Sequence, residues 1–166
     1  TDGAATWQQV MTTQGTAQVA VSSSDVYLLE WNATHHSTDG GATWTKHEGV
    51  LASTERGIEL AVDPHNGKHA YLLSTEHLYK TTDGGASWAP FGDLPTTSQF
   101  KVYWSLTVDA SASPTVIYVS TLGLGTGLYR SGDAGNHFAS VAAQGAPINL
   151  GFGRIVIDPA TPTTLF

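Results

Sequence analysis

The chain has 166 residues, 40% hydrophobic and 13% charged, with 18 glycines, 7 prolines and no cysteine. Seven Lys and Arg against fourteen Asp and Glu give a formal charge of −7, so the basic footprint of a nucleic-acid binder is missing. The lack of thiols excludes disulfide scaffolds and cysteine-ligated metal centres, and no apolar run approaches the ~20 residues that insert into a bilayer.

From its start, Thr1-Asp2-Gly3, the chain reads as a processed or trimmed one, and its order is that of a repeat. The first unit predicts strands near 17–22, 25–31, 33–38 and 43–48. The second unit predicts them near 57–63, 69–75, 77–82 and 87–91, and the third near 102–109, 115–121, 127–132 and 137–142. The second and third units and the chain's last stretch each carry an apolar run ending in a turn aspartate (Leu60-Ala-Val62-Asp63-Pro64, Leu106-Thr-Val108-Asp109, Ile155-Val-Ile157-Asp158-Pro159). Leu78-Tyr79-Lys80 and Leu128-Tyr129-Arg130 recur before the third turn. Sustained 3.6-residue periodicity is absent, and Gly, Pro, Asp and Ser punctuate the chain too often for a long helix. Four-stranded antiparallel units of this length are the blades of a β-propeller.

An octapeptide closes each unit: Ser37 to Trp44, Thr81 to Trp88 and Ser131 to Phe138, with a truncated copy at Thr1 to Trp7. Its aspartates are Asp2, Asp39, Asp83 and Asp133, spaced by 37, 44 and 50 residues. The glycines are Gly41, Gly85 and Gly135, and the closing aromatics Trp7, Trp44, Trp88 and Phe138. An aspartate in a tight turn accepts backbone N–H groups that would otherwise lack partners, and glycine supplies the positive φ. A group that recurs once per unit reads as structural, and the same holds for Asp63, Asp109 and Asp158. Only Asp25 and Asp93 of the nine aspartates fall outside the repeat.

The octapeptide resembles the Asp-box, or BNR repeat, of xyloglucanase-type glycoside hydrolases, sialidases and sortilin-like proteins. The second and third boxes of the chain's four match the motif in full, and His137 stands where the last box should carry Thr or Ser. The resemblance implies an all-β propeller with about three complete blades, near 12–48, 57–92 and 102–143. Parts of a fourth blade come from 151–166 and 1–11. It also implies a secreted or cell-surface protein, and a length of 166 that suits part of a ring. The remainder would come from a longer chain or from a second copy in a homo-oligomer.

Alternating loops place the boxes and the turn aspartates on one face, and the second-to-third-strand loops and blade connections on the other. The second face gathers Trp31, Asn32, Glu55, Arg56, Glu76, His77, Asp93, Lys101, Tyr103, Trp104, Asn149 and Arg154. Aromatic rings beside carboxylates and arginines suit a glycan or protein ligand, while Tyr103 and Trp104 also suit a core role and Glu55-Arg56 a solvated pair. Glycoside hydrolysis needs two carboxyl groups, and Glu55, Glu76 and Asp93 are the candidates, but no spacing pairs them. Three arginines in all argue against an arginine-clustered sialidase site. The adjacent His35 and His36 point to opposite faces of a strand, and the scattered histidines favour no metal site and no cofactor. Two functional classes follow: a recognition module, or a hydrolase fragment whose catalytic carboxylates lie partly outside the chain.

Overall fold

The computed structural model describes residues 6, 9–13, 15, 18–94, 102–109, 111–122, 127–141, 154–158, 161 and 164–165. Asp2, Trp7, Lys101, Asn149 and most of 1–11 lie outside them. Among the described residues twelve strands form three four-stranded antiparallel sheets, each strand pairing with the next in its sheet. The first sheet holds β1 (Gln18–Ser22), β2 (Asp25–Glu30), β3 (Ala33–Ser37) and β4 (Thr45–Glu48). The second holds β5 (Gly57–Val62), β6 (Ala70–Ser74), β7 (Leu78–Thr81) and β8 (Ala89–Phe91). The third holds β9 (Val102–Asp109), β10 (Val116–Leu122), β11 (Leu128–Ser131) and β12 (Ala139–Val141). These are three consecutive propeller blades. Residues 154–158 begin a further unit, with Ile157 bridged antiparallel to Leu165.

The middle strands carry the packing because both of their faces are covered. All five residues of β6 are buried, the continuous apolar reading expected of a strand with no solvated side. Leu72 points to the first blade, joining Tyr27, Leu29, Leu60 and Tyr79. Its neighbours Tyr71 and Leu73 point to the third blade, joining Tyr103, Leu106, Ile117 and Val119. Half-buried Trp88 closes the first of these seams and Phe138 the second, so these two box aromatics pack on the preceding blade.

The boxes share one hydrogen-bond scheme. Ser37, Thr81 and Ser131 each donate a hydroxyl to their aspartate's Oδ1, at 2.7, 2.8 and 2.7 Å. The same hydroxyls accept the amides of Gly41, Gly85 and Gly135 at 2.8, 2.9 and 2.7 Å. Oδ1 then accepts the amide four residues on, and Oδ2 accepts the hydroxyl of Thr43 or Ser87, both at 2.6 Å. In the third box the departure from the motif is absorbed: His137 Nδ1 lies 2.7 Å from Asp133 Oδ2, in the place of the hydroxyl. The side chain of Thr43 and that of Ser87 are the main cause holding Asp39 and Asp83 at about 2. Asp133 sits lower still, chiefly through the His137 amide, and its carboxylate raises the His137 imidazole.

A second recurring device joins the innermost strands. The registers Ala20↔Tyr27, Ala61↔Tyr71 and Thr107↔Tyr118 make Gln18, Glu59 and Ser105 equivalent positions. Gln18 Nε2 donates to the Ile58 carbonyl on β5. Glu59 Oε2 accepts the Leu106 amide on β9 at 2.6 Å, and Ser105 Oγ accepts the Ile155 amide at 3.4 Å. Each side chain thus reaches an edge backbone group of the following unit.

The two seams differ at the outer strand. Gly92, at φ 78°, would bring a Cβ to 2.7 Å from the Gly135 carbonyl oxygen, whereas Gly49, at φ 65°, has nothing within 4 Å. Beside Gly92, Asp93 Oδ1 accepts the Phe138 amide at 2.8 Å, but Val50 beside Gly49 offers no such acceptor. Both glycines share the left-handed conformation, so Gly92→Ala is expected to lower the urea midpoint clearly more than Gly49→Ala. Equal losses would mean that the close approach contributes nothing.

The boxes also fix a pH dependence. Asp39 and Asp83 are depressed from an ordinary value near ~4, so their stabilisation is present above that value and fades as pH falls toward about 2. His137 is raised, so its contribution is full below an ordinary imidazole value of ~6.5 and is lost as pH rises through the folded value. Urea titrations across pH should show both limbs. His137→Thr, which restores the motif, should remove the upper limb and leave the acid one.

Candidate functional site

The second face is assembled by short connections. The turn from β2 to β3 presents Trp31, the segment between the first two blades presents Glu55 and Arg56, and the turn from β6 to β7 presents Glu76 and His77. They meet at one seam. Arg56 Cζ lies 4.5 Å from the centroid of the Trp31 ring, and Trp31 is 60% exposed. The Thr75 amide donates to the Arg56 carbonyl at 3.0 Å, tying the blade connection to the turn.

Glu55 is the buried centre of this group, 3% exposed. Its Oε2 accepts the Ser74 hydroxyl. Its Oε1 accepts the Tyr79 hydroxyl at 2.9 Å and lies 3.0 Å from His77 Nδ1. Burial pushes the Glu55 carboxyl up, but the hydrogen bonds from Ser74, His77 and Tyr79 outweigh it and leave the group below its ordinary value. Burial, with the Glu55 charge added, raises the Tyr79 phenol. Ser74 serves both sides: the same oxygen accepts the amides of Glu76 and His77 at 3.2 and 2.8 Å. One oxygen each from Glu55 and Glu76 and a nitrogen from His77 lie within 4.8 Å of one another.

Next to the group, Glu76 and His77 rim a cleft of about 250 Å³, whose walls include Leu78, Pro90, Phe91, Leu94 and Tyr103. Tyr103 is 3% exposed and belongs to the core of the second seam; burial, then Tyr129, raises its phenol. Trp104 is 51% exposed because it is the unpaired residue of a bulge: Ser105 pairs Ser120, and Tyr103 pairs Thr121. A bulge re-aims its side chain. In the second blade Ile58 occupies the same bulge, and there it packs on the core shared with the third blade.

Three expected members of the face stand apart from this group. Asp93 turns to the third box, through the Phe138 amide described above. The exposed Arg154 donates to Glu59 Oε1 at 3.1 Å, among the inner strands. The Asn32 side chain accepts the Leu51 amide at 2.9 Å. His35 and His36 diverge as expected, His35 to Glu30 at 3.1 Å and His36 to Asp25 at 2.8 Å.

Sequence reasoning missed Ser74, Tyr79 and Glu59. Tyr79 was hidden in the repeated Leu-Tyr-Lys triplet, and Ser74 looked like ordinary turn punctuation. Glu59 did carry a signal, being the one charged residue inside the apolar run from Ile58 to Val62.

The sequence model of the Sortilin-Vps10 family (Sortilin, neurotensin receptor 3) matches residues 32–146. No curated protein matches the chain. Among solved structures, the GH74 xyloglucanase from Xanthomonas campestris aligns with a TM-score of 0.62 at 25% identity, over 82% of this chain and 24% of that one. An ancestral GH74 enzyme aligns at 0.65 and 18% identity, over 98% of this chain and 23% of that one. YCF48 bound to D1 peptide aligns at 0.56 and 21% identity, over 77% and 40%. The chain therefore spans about a quarter of the glycoside hydrolases it matches. Among the described residues no helix is long and apolar enough to cross a membrane.

The hydrogen bonding separates the two glutamates. Glu55→Ala would leave the Tyr79 hydroxyl without its acceptor, while Ser74 keeps the His77 carbonyl at 2.9 Å, and is expected to cost about 1–3 kcal/mol in urea unfolding. Exposed Glu76→Ala should stay within about 0.5 kcal/mol of the parent. Equal costs would contradict the assignment of Glu55 as the buried centre.

Proposed function

The chain belongs to the Sortilin-Vps10 family, and on that premise we propose that it is a recognition module of a secreted or cell-surface protein, taking a glycan or protein ligand on the face opposite the boxes. The observation that carries this reading is the convergence of Trp31, Arg56, Glu76 and His77 around buried Glu55 at one seam. An exposed indole backed by a guanidinium offers a flat apolar surface with charge at its edge. Such a surface suits the face of a sugar ring or a side chain of an extended peptide. The neighbouring cleft adds an apolar wall and a polar rim, the usual division of labour in a binding site.

The hydrolase reading is favoured by the GH74 likeness. Against it, a general acid needs a carboxyl raised toward the working pH, whereas Glu55 is lowered by its hydrogen bonds with Ser74, Tyr79 and His77. Asp93, the third candidate carboxylate, serves the second seam.

Glycan and peptide arrays probed with the intact chain, alongside turnover assays on xyloglucan and β-glucans, distinguish the readings. Recognition predicts binding without turnover, with Trp31→Ala and Arg56→Ala each weakening it by about tenfold or more at unchanged melting temperature, a loss of about 1.4 kcal/mol or more. Turnover abolished by Glu55→Gln, Glu76→Gln or Asp93→Asn would establish the hydrolase instead, and neither binding nor turnover would leave a structural role.

A further inference from the structure

We propose that Glu55, Glu76 and His77 form a zinc site. The site lies at the seam of the first two blades, and its argument does not depend on which ligand the surrounding face takes. Zinc bonds of roughly 2.0–2.1 Å to nitrogen and carboxylate oxygen place neighbouring ligand atoms about 3.3 Å apart. Glu55 Oε1 and His77 Nδ1 already stand at 3.0 Å. The Glu76 oxygen is within 4.8 Å of both, and its exposed side chain needs only a small swing to close the set.

The arrangement is held from behind. Ser74 and Tyr79 donate hydroxyls to Glu55, fixing the direction of the carboxylate as outer-shell partners do in metal sites. The Ser74 oxygen also accepts the amides of Glu76 and His77. One hydroxyl therefore sets both the buried carboxylate and the turn that carries the other two ligands. Among the described residues this is the one group of three such donors; His35, His36 and His137 each meet a carboxylate in a different part of the fold.

The donor chemistry selects the metal class. Calcium takes six to eight oxygens and magnesium keeps an octahedral shell of oxygen and water. One imidazole nitrogen with two carboxylates instead suits a borderline ion such as zinc. Three protein ligands leave a fourth position for water or for an oxygen of a bound partner. The ion would also join the connection after the first blade to the β6–β7 turn of the second. The expectation of no metal site rested on spacing along the chain, and the fold brings together residues 21 and 22 positions apart.

Isothermal titration of the chelator-treated full chain with zinc chloride tests this directly. We expect one equivalent bound and a melting temperature that rises with zinc concentration. Binding should vanish in His77→Ala and in Glu76→Ala, both of exposed side chains. It should weaken about tenfold in Tyr79→Phe, which removes only an outer-shell hydrogen bond. His65→Ala, at an exposed histidine beside Asp63, should bind as the parent does. Four results would overturn the assignment: no zinc bound by the parent, binding that survives His77→Ala, equal loss in His65→Ala, or calcium bound in preference to zinc.

Discussion

Each of the three described blades has an inner strand with one edge outside its sheet's ladder, since β1, β5 and β9 are the first strands of their sheets. A backbone group buried there without a partner costs as much as a lost hydrogen bond. At one repeat position Gln18, Glu59 and Ser105 each supply a partner to a backbone group of the following unit. The sheets can therefore stack on their apolar middle strands without forming a continuous ladder. The boxes on the outside perform the complementary task, satisfying the last turn of each described blade and, through Trp88 and Phe138, packing an aromatic on the blade before.

Once the seams are fixed, the candidate site follows from them. A blade connection must cross from the outer strand of one sheet to the inner strand of the next, and the 49–56 crossing passes directly over the β6–β7 turn. Burying Glu55 there is tolerable because three donors surround it, the condition under which an interior carboxylate stays charged. Trp31 and Arg56 are then left facing outward by the same crossing. The corresponding crossing at the second seam carries Asp93, which is drawn to the box through the Phe138 amide.

Strand order and type were legible because each unit repeats its turn chemistry, and the observed strands start and stop within two residues of the positions expected from it. The box glycines and aspartates were legible for the same reason. His137 looked like a defect in the motif, yet its imidazole reaches the oxygen that the missing hydroxyl would have met. What the sequence hid was any contact made between units by unlike residues. Glutamine, glutamate and serine share one structural position, but one donates and the others accept, so no consensus betrays it. Asp93 and Tyr103 show the opposite error, since a place on a connecting loop or strand start does not say whether the side chain turns to solvent or to the neighbouring blade.

The one-position lacing has a consequence for how the molecule comes apart. Strand pairing is local within each blade, so the units behave as a linear array whose cooperativity is carried by nearest-neighbour seams. A contact that skips a unit, Arg154 to Glu59 across 95 residues, ends in a guanidinium 75% open to solvent, too screened to bind distant units strongly. Unfolding can then proceed blade by blade, each seam that opens leaving the strand pairing inside the neighbouring blade intact.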